Sequence, residues 1–79
     1  AMHAEKMAAL GEMAAGIAHE IGNPMGAIRG RMEMLELKAQ KGPVSSEEIL
    51  STTSKVIGLV DRITRIVRGL RAYARDASK

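Results

Sequence analysis

The sequence predicts an all-α protein: two long helices form an antiparallel hairpin, and two copies of the hairpin form a four-helix bundle as a homodimer. Apolar residues recur at helical spacing in both halves of the chain, and a Gly-Pro pair separates the halves. The apolar stripe of the second half is wider than a contact between two helices requires. A chain of 79 residues is also short for a self-sufficient core, so we expect a second copy to supply the missing cover.

Helix 1 is predicted over residues 5–40. Its apolar residues advance in steps of three or four, the spacing of a bundle seam: Met7, Leu10, Ala14, Ile17, Ile21, Met25, Ile28, Met32, Leu35 and Ala39. The step from Ile21 to Met25 breaks the alternation, which predicts a slip in heptad phase. It coincides with Pro24, and a proline inside a helix costs roughly 3 kcal/mol. We therefore predict a bend of helix 1 at Pro24.

A turn is predicted over residues 41–45. Glycine suits the left-handed conformation that often follows a helix, which fits Gly42, and Pro43 cannot continue the helix. Ser45 and Glu48 have the spacing of a capping box, which indicates that a second helix starts here.

Helix 2 is predicted over residues 46–77. Its seam advances by alternating steps of four and three: Ile49, Thr53, Val56, Val60, Ile63, Val67, Leu70 and Ala74. Leu59, Ile66 and Tyr73 repeat every seven residues beside that seam, and Ile57 lies on its other flank. This width is what predicts the homodimer.

The composition argues against several classes of protein. There is no cysteine, and two histidines are too few for a metal centre without carboxylate ligands, so we predict no metal site. The apolar runs are short and interrupted, so we predict no membrane contact, no signal peptide and a cytoplasmic location. The first three residues resemble a cloning remnant. Residues 1–4 are therefore expected to be disordered, residues 5–79 to form one domain, and the chain to be an excised fragment.

Arginines are concentrated in the last third of the chain: Arg62, Arg65, Arg68, Arg71 and Arg75. We interpret them as a solvated helix face whose cations are favourable near a helix C-terminus. Tyr73 is the single aromatic residue that could stack on a base, so no nucleic-acid partner is expected.

Residues 19–24, with the sequence His-Glu-Ile-Gly-Asn-Pro, are the most informative segment. At about 100° per residue, His19 lies about 160° around the helix from both Ile17 and Ile21, so it points away from the core. The same side carries small or polar residues: Glu12, Ala15, Gly16, Gly22, Asn23, Gly26, Gly30 and Glu33. A second folded domain could therefore approach the imidazole closely. A lone exposed histidine is usually accidental, so the interpretation depends on its neighbours.

Those neighbours suit phosphoryl chemistry. A neutral imidazole is a competent nucleophile near neutral pH. Glu20, about 100° around the helix, could fix the ring tautomer or accept a proton, unless it is an ordinary solvated glutamate. Asn23, one turn on, could hydrogen-bond a water or a phosphoryl oxygen, unless it only marks a helix break before proline.

Residues 19–24 resemble the phosphoacceptor box of sensor histidine kinases, in the group that reads His-Glu-Ile-x-Asn-Pro. Residues 6–18 (Lys-Met-Ala-Ala-Leu-Gly-Glu-Met-Ala-Ala-Gly-Ile-Ala), the Gly-Pro turn and residues 68–75 (Arg-Gly-Leu-Arg-Ala-Tyr-Ala-Arg) are also similar to that family. The resemblance covers nearly the whole chain and indicates the dimerisation and histidine phosphotransfer domain. Gly22 and Met25 depart from the family, which more often has Arg, Lys or Asn at the first position and Leu at the second. The change at Gly22 affects partner specificity and local rigidity.

The resemblance implies a role for each residue of the site. His19 is autophosphorylated from ATP, Glu20 assists the transfer, and the phosphoryl group passes to an aspartate in the receiver domain of a response regulator. Asn23 matches the residue that positions water for dephosphorylation of the regulator. Residues assigned to partner docking are Gly22, Gly26, Arg29, Gly30 and Glu33.

No P-loop or kinase glycine-rich motif occurs in the sequence, so the chain itself is expected to bind no cofactor. ATP and Mg²⁺ would be held by the ATP-binding domain of a parent kinase, and this fragment should be inactive alone, apart from some phosphatase activity.

One alternative function is a non-catalytic helical adaptor or coiled coil. A second is a stand-alone histidine phosphotransfer protein, which typically has lysine and glycine at the positions of Gly22 and Asn23. The last is a basic DNA-binding dimer.

Overall fold

The computed structural model of this protein describes the backbone of residues 2–77 and the side chains of residues 4–73. Helix α1 spans Met2–Lys41 and helix α2 spans Ser46–Ala77, and together they form an antiparallel hairpin. The predicted all-α hairpin is thereby confirmed. Residue 1, part of the predicted remnant, and residues 78–79, the end of the predicted domain, lie outside the described residues.

Helix α1 begins earlier than the sequence analysis placed it, because residues 2–4 are helical. This segment contains neither glycine nor proline, and alanine is the strongest helix former. Within residues 2–77, neither helix contains a stretch long and apolar enough to cross a membrane.

The turn differs from the predicted glycine geometry. The Gly42 N–H donates to the Lys38 carbonyl at 3.2 Å, and no described glycine has a positive φ. The expectation of a left-handed Gly42 was therefore wrong. Helical hydrogen bonding reaches Gly42, and Pro43, which has no N–H to donate, ends it.

Ser45 caps α2, which confirms one half of the predicted capping box. Its hydroxyl accepts a hydrogen bond from the Glu48 N–H at 3.1 Å, and its carbonyl accepts one from the Ile49 N–H at 3.1 Å. The reciprocal bond, from the Ser45 N–H to the Glu48 carboxylate, is not among the hydrogen bonds of residues 4–73. The Glu48 side chain accepts a hydrogen bond from the Lys38 ammonium group of α1. This pair joins the two helices beside the turn. Because both side chains are partly exposed, it stabilises the hairpin by at most about 1 kcal/mol.

The face that each helix turns toward the other is a row of half-buried residues. In α1 the row comprises Met13, Ile17, Ile21, Ile28 and Leu35, and in α2 it comprises Thr52, Val56, Leu59, Ile63 and Ile66. Pro24 belongs to the same face, and it is the single fully buried side chain among the described residues.

Pro24, and not Met25, continues this face of α1. From Ile17 the row passes through Ile21 and Pro24 to Ile28 in steps of four, three and four. The predicted phase slip between Ile21 and Met25 is therefore wrong for the contact with α2. Helix α1 runs without interruption through Pro24, so the bend stays a prediction.

A second apolar surface, which we call the apolar edge, lies along one side of the hairpin and is uncovered. Its residues lie about 60–120° around each helix from the half-buried row: Met25, Met32, Ile49, Thr53, Val60, Thr64 and Val67. Exposure reaches 57% for Met25 and 47% for Val60. Exposed apolar residues grouped on one side of a small protein favour an interaction site.

The hairpin alone is too thin to enclose a core. It measures 62 × 20 × 10 Å, and its radius of gyration is 18.3 Å, against about 12 Å for a compact domain of this length. Its accessible surface is 6399 Å², against roughly 4,700 Å² for a compact monomer of this mass. No apolar side chain other than that of Pro24 is buried among the described residues. Further burial of apolar surface would need a second surface packed against the hairpin.

The cap on α2 can be tested with two adjacent serines. Ser45→Ala should lower the free energy of unfolding by about 1 kcal/mol, because the Glu48 N–H loses its acceptor. Ser46→Ala is the matched control and should change stability by less than about 0.5 kcal/mol. Urea denaturation at fixed protein concentration gives both values, and equal losses would contradict the assignment of Ser45 as the cap.

Candidate functional site

His19 lies on the outer face of α1, turned away from α2. Its side chain is exposed, as are those of Glu20 and Asn23. Within residues 4–73, none of the side-chain hydrogen bonds of the structure involves these three residues. They lie within about 6 Å along the helix axis. The structure therefore brings the three residues together on one segment and leaves the imidazole open to an incoming group.

The surface around His19 is open because it is formed largely by glycine. Gly22, Gly26 and Gly30 are exposed, and a Cβ atom added at any of them would meet nothing within 4 Å. The packing of the hairpin therefore does not require glycine there. Each glycine weakens α1 by up to about 1 kcal/mol relative to alanine. The helix tolerates this cost and presents a flat surface beside the histidine.

Arg29 and Glu33, also assigned to docking, form an ion pair with each other. The Arg29 Nε donates to Glu33 Oε1 at 2.7 Å, and the two side chains are 82% and 60% exposed. An exposed pair four residues apart on a helix stabilises it by only about 0.3–0.5 kcal/mol. Both charges lie at the surface on the segment that follows His19, where a docking protein could contact them.

Pro24 anchors the site to the hairpin, a role that the sequence analysis missed. Its ring is buried, whereas the adjacent Asn23 is exposed. Because proline has no N–H, the Glu20 carbonyl has no helical partner at this turn. The signal was its spacing of three residues from Ile21 and four from Ile28, which places Pro24 on the seam. The signal was not used because a proline inside a helix was interpreted only as the cause of a bend.

Arg65 is a second residue that the sequence analysis did not single out for the site. Together with Glu20 it lines a groove between the helices, which we call the upper groove. The other residues that line it are Met13, Ile17, Ile66, Gly69, Leu70 and Tyr73. No ion pair joins Glu20 and Arg65: the pairs within residues 4–73 are Arg29–Glu33 and Lys38–Glu48. Arg65 was interpreted only as one of several solvated arginines.

The described residues offer no metal site. No group of three or more histidine, cysteine, aspartate or glutamate side chains lies close enough together within residues 4–73 to hold an ion. The exposed polar groups that His19, Glu20 and Asn23 present are an imidazole, a carboxylate and an amide.

A helical hairpin with an exposed histidine on an open face is consistent with a phosphoacceptor module. Residues 9–79 match the family described as the His Kinase A (phospho-acceptor) domain. The match covers most of the chain, so the chain belongs to this family, the phosphoacceptor domain of sensor histidine kinases.

Curated relatives agree with this assignment. The chain is 39% identical over 72 residues to the signal transduction histidine-protein kinase AtoS of Escherichia coli K12, covering 91% of this chain and 11% of that protein. It is 35% identical over 75 residues to the sensor histidine kinase ZraS of Salmonella typhimurium, covering 92% of this chain and 15% of that protein. The identity to the C4-dicarboxylate transport sensor protein DctB of Pseudomonas aeruginosa is 31% over 78 residues, covering 99% of this chain and 12% of that protein.

The chain thus corresponds to a small part of each of these relatives. No solved structure matches it significantly.

Proposed function

We propose that this chain is the phosphoacceptor and dimerisation domain of a two-component sensor histidine kinase, and that His19 carries the phosphoryl group. The observation that supports this most directly is the exposed His19 on an unobstructed glycine-rich face, in a chain of the phosphoacceptor family. An acceptor must meet two different folded domains in turn, the ATP-binding domain of the kinase and the receiver domain of a regulator. An open helix face allows both to approach.

In the first reaction, one ring nitrogen of His19 attacks the γ-phosphorus of ATP. The bond from that phosphorus to the bridging oxygen breaks, and ADP leaves with the electron pair. The attacking nitrogen needs a free lone pair, so the proton must be on the other ring nitrogen. The Glu20 carboxylate favours that tautomer and accepts the proton as the ring becomes phosphorylated.

ATP and Mg²⁺ belong to another part of the parent kinase in this proposal. The described residues do not fit a metal site, so no step assigned to them passes through a metal. The sequence also has no phosphate-binding motif, and an ATP-binding domain must supply that function. The chain is then a substrate and scaffold that is inactive as a kinase alone. Its need for ATP and a regulator favours a cytoplasmic location.

In the second reaction, a receiver domain takes the phosphoryl group. An aspartate oxygen of the receiver attacks the phosphorus, the bond from nitrogen to phosphorus breaks, and His19 recovers its lone pair. Gly22, Gly26 and Gly30 leave room for the receiver beside the histidine. The exposed charges of Arg29 and Glu33 lie further along α1, where they provide polar contacts.

Asn23 fits the reverse task, the removal of the phosphoryl group from the regulator. Its amide is exposed and lies one turn from His19, on the face that a docked receiver would cover. An amide can hydrogen-bond a water molecule and orient it toward the phosphorus of an aspartyl phosphate. The imidazole itself is not needed for that step.

A second copy of the chain is the partner that we assign to the apolar edge. The two threonines of the edge do not oppose burial, because their hydroxyls are already satisfied within α2. Thr53 Oγ1 donates to the Leu50 carbonyl and Thr64 Oγ1 to the Val60 carbonyl, each at 3.0 Å. The edge can therefore be buried without leaving an unpaired donor. Two hairpins joined along it would form a four-helix bundle, with His19 of each copy at the outside.

The acceptor assignment is tested with the two histidines of the chain. His19→Ala should abolish labelling from radioactive ATP in the presence of an ATP-binding domain added in trans, and should leave the dimer intact. His3→Ala is the control and should be labelled like wild type. The label should be acid-labile and stable to alkali. Label persisting in His19→Ala would contradict the assignment, and dissociation of that variant would contradict an outward histidine.

The role of Asn23 is tested with one variant that should impair dephosphorylation of the regulator and leave phosphorylation of His19 intact. Asn23→Ala should slow dephosphorylation of the regulator by about 10²-fold, because the water loses its orienting group. Phosphorylation of His19 should change little in the same variant. Both rates can be followed on Phos-tag gels with a phosphorylated receiver and an ATP-binding domain in trans. Equal losses would remove the special role of Asn23.

The dimer interface is tested with two exposed apolar residues of α2. Val60 lies on the apolar edge and is 47% exposed in one hairpin, whereas Leu50 is 67% exposed and lies on the outer face. Val60→Asp should dissociate the dimer, because it places a charge inside the bundle, and Leu50→Asp should not. Sedimentation equilibrium would report the chain mass of 8.5 kDa for the first variant and twice that for the control. A dimeric Val60→Asp would show that the interface lies elsewhere.

A further inference from the structure

The upper groove is lined by one acidic and one basic side chain that form no ion pair with each other. Glu20 lines the groove from α1 and Arg65 lines it from α2. Most of the other lining residues are apolar. Neither side chain belongs to an ion pair of residues 4–73. Arg65 is thus the one cationic group that shares this groove with Glu20.

Glu20 has two possible partners. Around α1, Glu20 lies about 60° from the centre of the half-buried row, and His19 lies about 100° further from that row. The carboxylate can turn outward to the imidazole or inward across the groove to Arg65. A guanidinium can bind a carboxylate through two parallel hydrogen bonds, which makes Arg65 a strong competitor for it.

We propose that Arg65 is a positioning residue that draws the Glu20 carboxylate across the upper groove and away from His19. The inference rests on the proposed role of His19 as the acceptor. A carboxylate held by Arg65 no longer fixes the tautomer of the ring or accepts its proton. Arg65 therefore restrains the reactivity of His19, and a change in the spacing of the two helices would change that restraint.

Solvent exposure of the groove limits how much Arg65 can change the rate of phosphoryl acceptance. The groove is open to solvent, and an exposed ion pair shifts an equilibrium by up to about fivefold. Salt weakens such a pair. Arg65 is thus expected to adjust the rate of phosphoryl acceptance and not to decide whether it occurs.

The test compares rates of His19 phosphorylation at a fixed concentration of an ATP-binding domain and labelled ATP. Arg65→Gln should raise the initial rate by about two- to fivefold. Arg65→Lys should lie between that variant and wild type, because an ammonium keeps the charge but cannot bind the carboxylate at two points. Arg68→Gln is the matched control on the outer face of α2 and should behave like wild type. An unchanged or lower rate in Arg65→Gln would overturn the proposal.

A second comparison shows whether Arg65 acts through Glu20. In a Glu20→Gln background the carboxylate is gone, so adding Arg65→Gln should leave the rate unchanged. If Arg65→Gln still accelerates the reaction there, Arg65 acts by another route and the positioning role is wrong.

A spectroscopic measurement tests the effect of Arg65 on Glu20 independently of whether His19 accepts a phosphoryl group. The ¹⁵N shifts of the His19 ring report its tautomer in the chain alone, without ATP. Arg65→Gln should raise the population with the proton on the nitrogen nearer Glu20, and Arg68→Gln should not. If wild type takes no label, the acceptor function fails, yet the tautomer shift still tests the coupling between Arg65 and Glu20. Labelled wild type with identical tautomer populations in both variants would overturn the coupling alone.

Discussion

Two helices can cover only one face of each other, and this limit governs the rest of the structure. The contact between α1 and α2 half-buries one row of residues in each helix, and only Pro24 is fully buried among the described residues. Burial of apolar surface is the main favourable term in folding, at about 25 cal/mol per Å². A hairpin that leaves Met25 and Val60 exposed therefore lacks part of the stabilisation that a domain needs. The proposed dimer supplies it along the apolar edge and leaves the opposite side of the hairpin free.

In the proposed function, chemistry and assembly lie on different sides of the same helix. In α1, the half-buried row faces α2, Met25 and Met32 form part of the apolar edge, and His19 lies on the outer face. Pro24 connects these functions, because its buried ring holds the turn that carries Asn23. Proline is costly in a helix interior, but here the ring is buried against the hairpin and part of the cost is offset. The segment can thus combine an anchored backbone with an open, glycine-rich surface.

Most of the fold could be predicted from local rules. The apolar spacing predicted two helices, and the cap at Ser45 followed from its spacing to Glu48. The conformation of Gly42 could not be predicted, because Pro43 can end a helix without a left-handed glycine. The position of Pro24 was misjudged because periodicity was counted over apolar residues and proline was considered only as a helix breaker. At the site, His19, Glu20 and Asn23 lie on one helix, so their relative placement follows from helix geometry. The shared groove of Glu20 and Arg65 depends on the register between helices, and spacing along one helix does not determine that register.

In the proposed dimer, a second copy covers the apolar edge and leaves the side of the upper groove open. Isotope-filtered NOE spectroscopy on a mixture of labelled and unlabelled chains tests it directly, because only contacts between copies give signals. Intermolecular NOEs should appear at the methyl groups of Met25, Val60 and Val67, and none should appear at Met13 or Tyr73 of the upper groove. Intermolecular NOEs confined to the upper groove, or a sample that shows none while fully folded, would contradict this account.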